Sequence, residues 1–145
     1  MPLTSAEAEA LQQAAKRAAE NAHAPYSHFR VGAALLLDDG STVTGCNVEN
    51  ASYGLTICAE RSAVVGAVSE KGPQIRIRAI AVDNLNGAPG APCGACRQVL
   101  SEFALDDAVI FFPAAFTTGE RGYENRPFFD LVPFAFRPSD LKAGK

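Results

Sequence analysis

Two short segments, far apart in the chain, constrain its fold more than any other feature. One is Cys58-Ala59-Glu60; the other, thirty-five residues after that first cysteine, is Pro92-Cys93-Gly94-Ala95-Cys96-Arg97. Three thiolates can hold one zinc ion and leave its fourth position open to water, and a carboxylate that is not a ligand can then move that water's protons. Any fold that uses the pattern must bring residue 58 against residues 93 and 96. The pattern therefore points to a catalytic, hydrolytic metal site.

Cysteine count alone would also allow two disulfides, since there are four cysteines. Met1-Pro2-Leu3-Thr4-Ser5-Ala6-Glu7 has neither the basic start nor the apolar run of an export signal, and no segment reaches the length of a membrane span. The expectation is a cytoplasmic protein without membrane contact, in which Cys-x-x-Cys spacing favours metal binding or redox chemistry. Cys46 stands alone in a predicted strand, with no neighbour at ligand spacing, and reads as a buried thiol.

The remaining chain supplies one core. Its 145 residues are 48% hydrophobic and 20% charged, which fits a single domain over 1–145. A net charge of −3, from 13 basic and 16 acidic residues with no basic stripe, disfavours a nucleic-acid polymer as partner. Thr4 and Glu7 form a capping box for a helix over roughly 5–23, with Leu11, Ala15, Ala18 and Ala22 as its buried stripe and Pro25 as its stop. So small a stripe predicts close packing on a flat sheet.

Residues 31–37 and 42–48 flank Asp38-Asp39-Gly40-Ser41 and predict an antiparallel hairpin. Thr56 is a capping residue for a second helix through Val64, Val65 and Val68, ended by Gly72-Pro73, which places Cys58 in its first turn. Residues 77–82 predict a strand, Asn84 to Ala91 a loop, and Pro92 opens a third helix through Val99, Leu100 and Phe103. Val109-Ile110-Phe111-Phe112 is a further strand, and Thr117 to Arg126 reads as a loop or a ragged hairpin. This order places helices against a mixed sheet in a layered α/β architecture. If the unit between the cysteine-bearing helices crosses over in the usual right-handed way, both helices start at one sheet edge and their N-termini converge.

Charge sets a further requirement. Three thiolates and a divalent ion sum to −1, and ionising the bound water makes −2, which opposes that ionisation. Two helix N-termini offset it, as do Arg61 and Arg97, each close in sequence to a ligand. Glu60 is the candidate proton carrier, next to free helix-start N–H groups that can hydrogen-bond a substrate oxygen. Asn47 and Glu49, two apart on a strand, share a face and could bind neighbouring hydroxyls; on these residues alone a plain polar sheet face is the better reading.

Taken together, Pro25-Tyr26-Ser27, Phe29-Arg30-Val31-Gly32-Ala33-Ala34, Gly45-Cys46-Asn47-Val48-Glu49-Asn50-Ala51, Cys58-Ala59-Glu60-Arg61 and Pro92-Cys93-Gly94-Ala95-Cys96-Arg97-Gln98 make the chain resemble the small, zinc-dependent cytidine deaminases. The resemblance implies a three-layer α/β/α sandwich around a mixed, roughly five-stranded sheet, a homotetramer, and one Zn2+ per subunit on Cys58, Cys93 and Cys96. It implies hydrolysis of cytidine and deoxycytidine to the uridine nucleosides with release of ammonia, in pyrimidine salvage. In the general mechanism of zinc deaminases, metal-activated water attacks C4 and a glutamate, here Glu60, transfers the protons. The resemblance further assigns the Ala59 N–H to the ring carbonyl, Asn47 and Glu49 to the ribose, and Phe29 and Phe136 to ring packing, with Phe134 a substitute for the latter. Ala51 and Tyr53 would reach the 5′-hydroxyl in a neighbouring subunit's site.

Other readings keep part of this. A deaminase of an aminoglycosyl-cytosine antibiotic such as blasticidin S would share the chemistry, although Asn47 and Glu49 favour a plain nucleoside. A non-catalytic zinc module would hold metal without turnover, and a redox protein would cycle a Cys93–Cys96 disulfide. On sequence alone Phe29 and Phe136 also read as core residues.

Overall fold

The computed structural model describes residues 2–114 and 122–143. The first helix, α1 (Ser5–Ala19), starts with the expected reciprocal cap: Thr4 Oγ1 accepts from the Glu7 amide at 3.1 Å, and the Glu7 carboxylate accepts from the Thr4 amide at 2.8 Å. It ends earlier than its apolar pattern suggests. The His23 amide donates to the Asn47 carbonyl and the His23 carbonyl accepts from Glu49, so the chain has already left the helix to run beside a strand extension.

The buried stripe is Leu11, Ala15 and Ala19, rather than Ala18 and Ala22, which are only partly buried. Gly32 explains the choice. A Cβ at Gly32 would lie 1.9 Å from the Ala15 carbonyl oxygen and 2.5 Å from the Ala19 nitrogen, so α1 rests its alanines directly on strand backbone.

That strand, β1 (Val31–Leu37), pairs antiparallel with β2 (Thr42–Cys46) across the predicted hairpin and antiparallel with β3 (Ile77–Asn84) on its other side. β3 pairs parallel with β4 (Ala104–Ala114), and β4 pairs antiparallel with β5 (Gly122–Pro127), giving the order β2-β1-β3-β4-β5. The ragged hairpin is thus real where described: β5 begins inside the predicted Thr117 to Arg126 stretch and ends one residue beyond it, while residues 117–121 lie outside the described residues. A short helix, α4 (Pro138–Ala143), follows.

Helices α2 (Ala59–Lys71) and α3 (Gly94–Ser101) are the connections on either side of β3. Alternation along the strands sorts the core into two layers. Leu11, Ala15, Ala34, Leu36, Ala79, Ala81 and Phe111 cluster around α1, whereas Ala33, Leu35, Val43, Ile80, Ile110 and Phe128 pack with Ala63, Val64 and Ala67 of α2 and Leu100 of α3. The result is the three-layer α/β/α sandwich on a mixed sheet. β2 and β3 both run antiparallel to β1 and so point the same way, which lets α2 and α3, the helices that follow them, begin near one another at one edge of the sheet.

Candidate active site

Both cysteine segments sit at helix starts, with each helix beginning two residues later than expected. Cys58 is the N-cap of α2 and Cys93 the N-cap of α3, each with extended backbone, so Cys96 alone lies within a first turn. Thr56 does not cap α2; its hydroxyl accepts from the Asn50 amide at 3.2 Å and helps fold the loop before the helix. The Cys93 sulfur takes the capping position itself and accepts from the Cys96 amide at 3.4 Å.

The ligating atoms of Cys58, Cys93 and Cys96 all lie within 4.8 Å of one another, and the Cys93 and Cys96 sulfurs are 3.4 Å apart. Three soft donors at this spacing, at two positive helix ends, fit zinc. Arg61 supports the fit: its Nη2 donates to the Cys58 sulfur at 3.4 Å, while its Nε is buried with no hydrogen-bond partner among the described residues. Hydrogen bonding from Cys96, with help from Arg61, lowers the Cys58 thiol to about 5. The Cys96 thiol is shifted upward by its hydrogen bond to Cys58 and by burial. Metal binding requires cysteine ligands in their thiolate form and so releases the protons the thiols carry. Cys46 is outside the cluster and is partly exposed rather than buried.

Glu60, at the second position of α2, is only 4% exposed. Burial raises its pKa above the ordinary carboxylate value, and the neighbouring Cys58 charge adds to the rise. A carboxyl raised in this way holds a proton more readily than an exposed one, which suits a group that must take up and release protons.

A cavity of about 390 Å³ opens over this group, and its lining includes Phe29, Asn47, Glu49, Cys58, Ala59, Glu60 and Cys93. Asn47 and Glu49 do share a face, although β2 has ended: Val48 between them is held by bridges to His23 and Ile57. Asn47 Nδ2 donates to the Phe29 carbonyl at 2.8 Å and its Oδ1 accepts from the Val31 amide at 2.9 Å. Glu49 accepts from the Tyr26 amide at 3.0 Å, the Ser27 amide at 3.2 Å and the Ser27 hydroxyl, and these bonds, the last foremost, lower its pKa. Ser27, Thr56 and Asn84 also line the cavity. The Pro25-Tyr26-Ser27 stretch was visible as part of a motif, but nothing in it announced a carboxylate anchor.

Other residues singled out by sequence lie elsewhere. Arg97 directs Nε to the Pro92 carbonyl at 2.8 Å and Nη1 to the Leu131 carbonyl at 2.9 Å, so its hydrogen bonds go to backbone and not to sulfur. Ala51, Tyr53 and Phe136 do not line the cavity of their own chain. Tyr53 is 75% exposed and lines an adjoining hollow with Tyr26, Ser27, Glu49 and Thr56; Phe136 is 58% exposed and Phe134 fully so.

Residues 5–112 match the family described as "Cytidine and deoxycytidylate deaminase zinc-binding region", which makes the three-sulfur cluster a zinc site and the class that of zinc-binding deaminase domains. A cytidine deaminase of Halalkalibacterium halodurans is 47% identical over 125 residues, covering 86% of this chain and 90% of the relative. One from Mycobacterium tuberculosis is 47% identical over 127 residues, covering 88% and 87%. The crystal structure of cytidine deaminase from Burkholderia pseudomallei superposes with a TM-score of 0.76 at 44% identity, covering 92% of this chain and all of that one. The chain belongs to the cytidine deaminase family.

Proposed function

We propose that this chain is a cytidine deaminase that hydrolyses cytidine and deoxycytidine to uridine and deoxyuridine with release of ammonia, serving pyrimidine salvage in the cytoplasm as a homotetramer. The observation that carries the reading is a buried Glu60 beside three converging sulfurs at one end of a cavity that also holds Asn47 and Glu49. Zinc bound by Cys58, Cys93 and Cys96 supplies a Lewis acid that makes water acidic near neutral pH.

The chain's own groups do the rest. Glu60 would accept one proton from water and deliver it to N3 of the pyrimidine; as the C4–N bond breaks and the C4 carbonyl forms, it would take the remaining hydroxyl proton and pass it to the departing amine, which leaves as ammonia. Its raised pKa suits both halves of that cycle. The Ala59 N–H, a free donor at the first position of α2, holds the ring carbonyl. Phe29 packs on the ring. Asn47 spends one N–H and one acceptor site on the chain and retains another of each for a ribose hydroxyl. Glu49, already held by three donors, keeps a lone pair for the neighbouring hydroxyl.

Exposed Tyr26, Val48, Tyr53, Leu55 and Ile57 cover chain segments beside the cavity, and apolar surface gathered in this way supports a subunit interface. In that assembly Ala51 and Tyr53 reach a neighbour's 5′-hydroxyl, and Phe136 can pack on a ring only in another subunit's site. Arg61 compensates the sulfur charge directly, Arg97 only through the backbone it holds.

An ultraviolet assay with cytidine, deoxycytidine, cytosine and cytidine monophosphate, run beside a zinc determination, tests the reading. The two nucleosides should lose the cytosine absorbance band and release equimolar ammonia. A zinc-loaded protein that leaves both nucleosides intact would refute it.

A further inference from the structure

We propose that Asn86 is a positioning residue that fixes Phe29 in the nucleoside cavity; the inference rests on the deaminase reading above. The strand ladders around β1 end early. Its last partner on β2 is Gly32 with Cys46, and on β3 Val31 with Asn84. The segment just before it, residues 28–30, lies outside that strand pairing, and it leads Phe29 and then Val31, the first residue of β1, into the cavity wall.

Two asparagine side chains take the strands' place. On one edge Asn47 pairs with the Phe29 carbonyl and the Val31 amide. On the other, Asn86 Nδ2 donates to the His28 carbonyl at 3.0 Å and Asn86 Oδ1 accepts from the Arg30 amide at 3.1 Å. A side-chain amide presents one donor and one acceptor, as a backbone residue does, so each asparagine continues a ladder where its strand has stopped. Phe29 therefore sits between alternating grips.

Holding is needed here. His28 has φ +58°, a left-handed conformation unusual outside glycine, and it immediately precedes Phe29. Asn86 is in turn presented by its own loop. Asn84 Oδ1 accepts from the Asn86 amide at 3.0 Å and the Ala88 amide at 3.2 Å, and the Leu85 amide donates to the Arg30 carbonyl at 3.0 Å. The same loop runs on to Gly90, Ala91 and Cys93, so one strap links the ring's support to the cavity's opposite wall.

A positioning role acts through Phe29, and a double-mutant cycle isolates it. Asn86→Ala should raise the KM for cytidine about three- to tenfold while kcat stays within about twofold, the pattern of lost ground-state positioning. Asn86→Asp should act in the same direction, because it keeps the acceptor for Arg30 but loses the donor and sets a charge against the His28 carbonyl. In a Phe29→Ala background, Asn86→Ala should add less than about twofold to KM.

Zinc content should be unchanged in every variant. Independent, multiplicative effects of Phe29→Ala and Asn86→Ala would overturn the proposal, as would an unchanged KM or parallel loss of kcat and zinc. Failure of both Asn86 variants to fold would also overturn it, since that marks a residue that holds the fold instead of the cavity. Wild type is assayed first: absence of cytidine turnover there refutes the functional reading, whereas unaltered variants of an active wild type refute only the clamp.

Discussion

At the scale of single residues, two arginines adjacent in sequence to ligands have different surroundings. Arg61 donates to the Cys58 sulfur, and the thiolate charge in turn raises the Arg61 pKa, so this cation remains charged beside the metal site. Arg97 instead ties Pro92 before α3 to Leu131 near the C-terminus. Arg61→Gln should therefore lower kcat/KM about ten- to a hundredfold, the usual effect of losing a partner of a metal ligand. The acid limb of its pH–rate profile should move to higher pH, because a positive charge that favours proton loss in the site has gone. Arg97→Gln should leave that limb in place and lower thermal stability. Equal displacement of both profiles would remove the distinction. Sequence proximity alone could not separate the two arginines, since side-chain direction depends on the carbonyls that surround each one.

Among the elements, α2 matters most because its start carries both a ligand and Glu60. Its height above the sheet is set by Gly45, where a Cβ would come within 2.4 Å of the Ala63 nitrogen and 2.8 Å of the Ala59 carbonyl oxygen. Both contacts are backbone and cannot rotate away. Gly45→Ala should cost about 1–3 kcal/mol of stability by overpacking and, by displacing α2, reduce turnover in the protein that remains folded. Gly66 on the same helix has open space, with nothing within 4 Å of where a methyl group would sit. Gly66→Ala should accordingly stabilise by about 0.5–1 kcal/mol with turnover unchanged. Thermal melts with kinetics on the same samples check the pair, and a neutral Gly45→Ala would contradict the close packing of α2 on β2.

Element positions were readable where local chemistry decides them: the Thr4–Glu7 cap, the Asp39-Gly40 hairpin and the glycine stop at Gly72 all hold. The end of α1 was not, because it depends on His23 meeting the Asn47 carbonyl, a partner distant in sequence. The N-caps of α2 and α3 were displaced by two residues for a related reason. Thr56 is a good capping residue, but its hydroxyl is occupied by Asn50, and cysteine took the cap at both helices.

For the whole molecule, the shared direction of β2 and β3 brings the starts of α2 and α3 together and turns two separated sequence segments into one cluster of sulfurs, and this was legible from spacing and topology. The support around the cavity was not. Asn84 and Asn86 read as ordinary loop residues because their roles appear only once residues 28–30 lie beside them. Phe134 and Phe136 lack burial within their own chain, so no pattern inside one chain can assign them a contact. In the proposed mechanism, deamination depends on Glu60 acting on protons without binding the metal. Zinc stoichiometry and cytidine turnover, measured on the same preparation of Glu60→Gln, test this most directly. The prediction is one zinc per chain, as in wild type, with turnover reduced by at least about 10²- to 10⁴-fold. A variant that keeps its activity, or that loses zinc together with activity, would contradict it.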